Sequence, residues 1–539
     1  MGAAQDQRLA WFMQLAALVS AVQEFLVAAH DAVVIEDGAV VFDLSRAKFS
    51  LSSEHGKCVL HLWSAERNTV RRVLEAEIKG GSMRLAVLRM GQAKPSRMEI
   101  LRERDPRTPT ARKAARLAYQ NRLQRMLERH FPDWRSARLT SAMDLGRSFS
   151  PVYTRGLLRR GQSAFALIGV NAQETQAAVD ASLTFGILWL DSCRAAANGK
   201  LHVEGLRLFL PSRTSEVVRE RVAHLNPSAA KWQVYELNER EETLFEVDCA
   251  DRGNLATRLV HRTDEAAALE RFGEASSTMR GMAPEAEVVV LSPAEVAFRC
   301  RGLEFARARL AEGTSFRCQT EIVFGIGAEE TVLAPSNHEH FAERVRALHD
   351  LRRSGGPRAH PLWRLHPERW LETRVLDDVS AVDQRLDPRA CYSQVPAFSR
   401  SDRAMMDVLS VTRDGRLAVL ELKAEEDLHL PLQGLDYWAR VAWHHARGEF
   451  QQFGYFPGRE LAAQAPLLLL VAPALHVHPA TDALLRYLSP EIEWGLAGID
   501  EHWRDGVRVV FRKRAGQMDR MPIEAEETRA LEGMHAGVS

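Results

Sequence analysis

The feature that most constrains how this chain can fold is an internal repeat. FALIGVNAQE (Phe165–Glu174) and AVLELKAEED (Ala418–Asp427) each open the same succession of segments. A strand leads into a helix carrying a tryptophan, Trp189 in LTFGILWLD and Trp438 in LPLQGLDYWAR. An apolar strand follows, GLRLFLP or PLLLLVAP, then a Thr-led helix, TSEVVRERV or TDALLRYL, then a closing strand pair. Upstream, RMLERHF answers RWLETRV, with Glu128 facing Glu372. An order this consistent points to duplication. Apolar strands alternating with helices are the mark of an α/β layer. The expected fold class is therefore mixed α/β, with tandem α/β domains and β-rich accessory domains.

The copies set the remaining boundaries. Residues 1–108 read as a helix followed by a β-rich domain, in pieces such as AVVFDL, CVLHLW and RLAVLRM. The turn-rich DPRTPT introduces the first copy, 109–262. Residues 263–358 read as a polar linker (Thr263–Glu285), strand pieces such as EVVVL and TEIVFGIG, and a basic helix ending at RRSGGPR. The second copy occupies 359–515, and 516–539 is a polar tail expected to fray.

Composition excludes several classes. With 46% hydrophobic and 26% charged residues, the 539-residue chain is neither disordered nor fibrous. Its formal net charge of +0 gives no global signal for nucleic acid. Locally, Ala111–Arg160 holds twelve Arg or Lys against three Asp or Glu, which suits either a phosphate backbone or a solvated helix face. The six cysteines include no Cys-x-x-Cys pair, against a zinc ribbon and against a secreted disulfide scaffold. AWFMQLAALVSAVQEFLVAA lacks a basic start and carries Gln14, Gln23 and Glu24, so it reads as an amphipathic helix and not as a signal or span. PLLLLVAPAL is too short to cross a bilayer and reads as a buried strand. A cytoplasmic protein with no membrane partner is expected.

The chemistry concentrates in the hairpin MMDVLSVTRDGRLAVLELK. Arg413-Asp414-Gly415 suits a three-residue loop with Gly415 left-handed. That loop pairs Thr412 with Arg416, and counting outward sets Asp407 opposite Glu421. Side chains alternate along strands, so Asp407, Leu409, Val411, Leu417, Val419, Glu421 and Lys423 share a face. Two carboxylates that close repel unless a cation joins them, and hard oxygen ligands with open positions suit Mg²⁺ or Mn²⁺. A lysine beside such a metal could serve the attacking water or a developing negative charge.

The hairpin resembles the active site of the PD-(D/E)XK nuclease superfamily, with Asp407 as the first acid and Glu421-Leu422-Lys423 as the second motif. Gln433-Gly-Leu-Asp-Tyr437 is similar to the Gln-x-x-x-Tyr motif of its RecB-like branch. Glu372 matches the acidic residue that many members place on their first helix. Met406 stands where the motif has proline. The resemblance covers roughly Pro361–Arg514. It implies a restriction-endonuclease-like fold, with Asp407, Glu421 and possible Glu372 as ligands of one or two Mg²⁺ or Mn²⁺. Lys423 would serve the water, Gln433 would orient the site, and Tyr437 would approach the nucleic acid or pack nearby.

Blander readings stand beside these. Glu421 and Lys423 could be an exposed pair at a strand end. Tyr437 and Trp438 could be helix packing, and Gln433 a helix cap. His476 and His478 could bind a metal, as could His444–His445. The first copy carries Gly169 for Glu421, Asn171 for Lys423 and Arg155 for Asp407. It therefore reads as a degenerate copy kept for binding or scaffolding, with Arg155, Arg159 and Arg160 as nucleic-acid contacts. The expected function is a metal-dependent nuclease hydrolysing DNA phosphodiester bonds, with nucleic acid, DNA before RNA, as the expected partner. The alternatives are a catalytically inactive nucleic-acid-binding or interaction protein on the same fold, and an enzyme on a non-nucleic substrate.

Overall fold

The computed structural model describes the chain except residues 1, 30–31, 37–38, 45–46, 54–56, 65–67, 80–81, 90–94, 102–108, 137–138, 145–148, 240, 251–254, 312–318, 327–329, 399–402 and 517–539. The polar tail thus lies almost wholly outside the described residues. The chain is mixed α/β, with four sheets among the described residues. A helix, Gly2–Val27, precedes a seven-stranded antiparallel sheet formed by residues 33–101. Alternate strand residues such as Cys58, Leu60 and Leu62 point into one core with Val22, Phe25 and Leu26 of the helix. No described helix is long and apolar enough to cross a membrane.

Thr263–Glu285, read from its polarity as a linker, is instead largely helical. Glu265–Arg271 and Gly273–Met282 bury Ala268, Phe272, Ala275 and Met279. Most of these pack on the five-stranded sheet of residues 287–332. Its helices are short, so each shows too few apolar positions for a helical period to stand out. The helix expected before RRSGGPR is His338–Leu351, but with two Arg against three Asp or Glu it is not basic.

The repeated units carry the other two sheets. In the first are α1 (Pro109–His130), β1 (Arg135–Ser136), β2 (Tyr153–Arg160), β3 (Ser163–Val170), α2 (Ser182–Ala197), β4 (His202–Pro211), α3 (Glu216–Val222), β5 (Lys231–Asn238) and β6 (Thr243–Val247). A short strand, β7 (Arg258–Leu259), crosses to the second sheet. The second unit holds α4 (Pro367–Asp377), β8 (Leu386–Phe398), β9 (Arg403–Thr412), β10 (Leu417–Leu422), α5 (Leu430–Ala446), β11 (Leu467–Pro473), α6 (Thr481–Leu485), β12 (Trp494–Ile499) and β13 (Val509–Arg514).

Spatial order is β1-β2-β3-β4-β5-β6 in one sheet and β7-β8-β9-β10-β11-β12-β13 in the other. Apart from β7, the two orders correspond strand for strand. The senses match too: an antiparallel hairpin, two parallel neighbours, then an antiparallel closing strand. Strands covered on both faces need continuous apolar runs, and β10 and β11 are buried at every position. In both units a glycine lets the helix approach the sheet. A Cβ on Gly186 would meet Leu206 Cδ2 at 2.6 Å, and one on Gly434 would meet Leu470 Cδ2 at 2.6 Å. Matching these glycines sets Trp189 against Tyr437, one position from the tryptophan pairing expected from sequence.

The units pack on each other through α2, α3, α5 and α6 around a shared apolar core. At its centre Leu225 and Leu488 form an antiparallel bridge, with Asn226 N donating to Tyr487 O (2.8 Å) and Ser489 N donating to His224 O (2.9 Å). HLNP and YLSP are corresponding stretches, so equivalent residues meet across a local twofold relation. This is the geometry of an isologous interface, here within one chain.

Candidate active site

The hairpin β9–β10 turns as its loop demands, with Gly415 at φ 89° and Thr412 N donating to Arg416 O (2.7 Å). Val408 faces Leu420 and Val411 faces Leu417. The same register sets Asp407 opposite Glu421, as counted from sequence. Asp407 Oδ2 accepts from Leu422 N at 2.9 Å. The apolar part of the shared face, Leu409, Val411, Leu417 and Val419, packs with Val441 of α5.

Glu421 is 3% exposed, which removes the reading of an exposed strand-end pair. Its Oε1 lies 3.3 Å from Lys423 Nζ, while its Oε2 is buried without a hydrogen-bond partner among the described residues. Lys423 is fixed just past β10 by its N–H on Val471 O (2.9 Å), and its ammonium also reaches Asp427 Oδ2 at 3.7 Å. Gln433 does not cap α5 with its side chain, and its Oε1 is also buried and unpartnered. Glu421, Lys423, Gln433, Asp436, Tyr437 and Arg440 line a cavity of about 170 Å³.

Glu372 sits beside this cluster, buried on the inner face of α4, where Oε2 accepts from Arg369 Nη1 (2.9 Å) and Gln394 Nε2 (2.8 Å). Gln394 lies between the pairs Ser393–Val408 and Val395–Met406, hence opposite Asp407. It holds a left-handed φ of 52°, an unusual conformation for a residue with a Cβ. Glu372 and Asp407 do not line the small cavity.

Burial pushes all three carboxyls up. Glu372 rises to about 8, with the charge of Asp407 adding and Arg369 opposing. Asp407 is raised by burial against the Leu422 N–H, and Glu421 by burial and then by Asp407. Lys423 is desolvated too, yet Glu421, Asp427 and Asp407 hold it above its ordinary value. The carboxyls thus share the site with the cations Lys423, Arg369, Arg299 and Arg440. Among the described residues no three His, Cys, Asp or Glu side chains form a metal-binding group. Glu421 and Gln433, each with an oxygen that has no hydrogen-bond partner among the described residues, line one cavity, and this donor set suits a hard cation that keeps waters or phosphate oxygens.

Other expected residues are placed differently. Trp438 is packing, buried with Nε1 donating to Pro466 O (2.7 Å), and Tyr437 is part-buried beside the cavity. His476 lies 3.5 Å from Glu501, and His478 lies 3.8 Å from Glu426. His444 pairs with Glu449 and with Thr257 Oγ1.

In the first unit Arg155 pairs with Ile168 in the hairpin register. Ile168 shares the α2-facing core, whereas a Cβ on Gly169 would meet Leu123 and Tyr119 of α1 on the other face. Alternation across the sheet therefore corrects the correspondence: Ile168 matches Glu421, Gly169 matches Leu422 and Val170 matches Lys423, while Arg155 does match Asp407. Glu128 is exposed and bonded to Gln124 (2.8 Å), unlike buried Glu372. Arg155 is 3% exposed, donates to Ser150 O and Ala142 O, and stacks on Phe149 at 4.6 Å. That removes it as a phosphate contact. Arg159 and Arg160 are exposed.

Sequence reasoning missed Gln394, Arg369 and the cross-unit pair Arg221–Asp436. The spacing of Arg369 one turn before Glu372 was a usable signal. Gln394 gave none. Arg221 of α3 makes a two-pronged contact with Asp436 of α5, at 2.9 and 2.7 Å, so the first unit grips the helix that carries Gln433. Comparison with family models, curated proteins and solved structures found no match.

Proposed function

We propose that the second unit is a metal-dependent nuclease that hydrolyses DNA phosphodiester bonds, on a restriction-endonuclease-like fold of which the first unit is a degenerate copy. The observation that carries this reading is half-buried Asp407 opposite buried Glu421, with Lys423 on the same face and Gln433 lining the same cavity as Glu421. The matched strand order of the units, with the charged positions replaced by Arg155, Ile168 and Val170 in the first, supports the idea that the fold does not need those charges.

In this reading Asp407 and Glu421, with Glu372 beside them, would hold one or two Mg²⁺ or Mn²⁺. The bound metal would polarise a phosphoryl oxygen and acidify water. The chain's own residues do the rest. Lys423 is held charged by three carboxylates, which suits it to orient the attacking water and to stabilise developing phosphoryl charge. Asp407 is fixed by the Leu422 N–H, and Glu421 by Lys423. Gln433 turns a carbonyl oxygen into the same cavity. Arg221, through Asp436, is a positioning residue for α5.

The test is incubation with end-labelled single-stranded, duplex and branched DNA, and with RNA, in Mn²⁺, Mg²⁺ or EDTA. Cleavage that needs the metal and favours DNA is expected. Binding without cleavage in both metals would leave the inactive nucleic-acid-binding reading.

A further inference from the structure

A second cavity, of about 800 Å³, lies in the first unit, where β3, β4 and β5 begin. The position matching the carboxylate cluster lies towards the other end of those strands. Arg207, 6% exposed, lines this cavity with its guanidinium over the rings of Phe165 (4.3 Å), Phe131 (4.7 Å) and Trp134 (4.7 Å). Its Nε donates to Gln233 Oε1 at 2.8 Å, but Nη1 is buried without a partner among the described residues. Stacking on aromatic faces supports the charge but gives Nη1 no acceptor. Exposed Arg160 stacks on Trp134 at 4.7 Å and lines the same cavity.

Two carboxylates also line it, and both are engaged. Glu204 holds Lys231 at 2.7 Å, and Glu246 accepts from Gln233 at 3.2 Å. Among the described residues neither Arg160 nor Arg207 forms an ion pair. The lining therefore sets the cations Arg160, Arg207 and Lys231 against Glu204 and Glu246, and the two guanidinium groups, whose fork matches phosphate, lie beside the aromatic surface of Trp134 and Trp232.

We propose that this cavity binds a nucleoside monophosphate unit, its phosphate held by Arg160 with the charge of Arg207 behind it, and its base against the aromatic wall that includes Trp232. The unit comes either free or as part of a single strand, and the two sources share this chemistry.

The test is calorimetric titration of the full chain carrying Glu421→Gln, in EDTA. Probes are a deoxynucleoside 5′-monophosphate, the unphosphorylated deoxynucleoside, inorganic phosphate and a short single-stranded oligodeoxynucleotide. The monophosphate should bind more tightly than nucleoside or phosphate. Arg160→Ala, an exposed change that leaves the core intact, should weaken it about tenfold or more, as removal of a charge-assisted hydrogen bond implies. Arg207→Lys keeps the charge but loses the fork, and should also weaken it. An oligonucleotide that displaces the monophosphate identifies a strand as the source, and one that does not identifies the free nucleotide. Absence of saturable monophosphate binding, or unchanged affinity in Arg160→Ala, overturns the proposal. Cleavage is not read here, so failure of the nuclease reading and failure of this one are separate results.

Discussion

Glu372 sits in the fold at a cost that grows with pH, and Glu372→Gln should relieve it. Burial, reinforced by Asp407 and opposed by Arg369, lifts this carboxyl from 4.5 to about 8. The folded chain therefore keeps a proton that the unfolded chain has already lost. Stability contributed by this group is full below about pH 4.5, falls as pH rises towards about 8, and levels off beyond it. At 1.36 kcal/mol per unit the whole window amounts to roughly 5 kcal/mol, of which roughly 3 kcal/mol is lost by pH 7. Glutamine cannot ionise in either state, and it keeps an acceptor oxygen for Arg369 and Gln394. Without metal, Glu372→Gln should thus be more stable than wild type at pH 7 by about 3 kcal/mol, a rise in melting temperature of roughly 6–12 °C for a domain of this size. Its stability should also fall less steeply from pH 5 to 8. Thermal denaturation of both proteins in EDTA across pH 5–9 reads both quantities. Equal pH slopes, or a variant less stable at pH 7, would show that Glu372 is not held protonated by its burial.

Three further outcomes are expected. Mn²⁺ or Mg²⁺ should raise the melting temperature of wild type by acting on the native state, and Glu421→Ala should lose most of that shift; calorimetric melts at graded metal concentration check this. Arg221→Ala strips Asp436 of its two-pronged partner where the units meet and should cost about 3 kcal/mol in a denaturant melt. Asp436→Asn in the same background should recover part of that loss, since it removes the stranded charge. Replacing Arg159 and Arg160 together by Ala should weaken DNA binding broadly across sequences and flatten its dependence on salt, the slope falling by about 0.9 for each phosphate that is no longer neutralised.

Most of the site's hairpin was legible because its physics is local. The Arg-Asp-Gly loop fixes the register, and strand alternation then puts Asp407, Glu421 and Lys423 on one face, as the pairing of Val408 with Leu420 bears out. The order of elements in both units was legible for the same reason, since long apolar runs must be buried strands. What failed depended on parity or on distance. A slip of one position exchanged Ile168 for Gly169, because a glycine signals backbone freedom and says nothing about which face it occupies. Arg155 read as a basic surface residue, yet the aromatic rings of Phe149 and Trp189 take it inside. Gln394 and Arg221 reach the cluster from other strands and the other unit, and nothing near them in sequence announces it. The short helices after Thr263 were hidden by their polar outer faces.

The proposed chemistry assigns metal-dependent hydrolysis to Asp407, Glu421 and Lys423. Its most direct measurement compares Mn²⁺-dependent cleavage of an end-labelled DNA strand by wild type, Asp407→Ala, Glu421→Ala and Lys423→Ala, each first shown to be folded by its melting curve. Wild type should show cleavage that EDTA abolishes, and every variant should lose at least about a hundredfold, as for removal of a charge-stabilising group from a catalytic site. Near-wild-type cleavage in any two of the variants would contradict it.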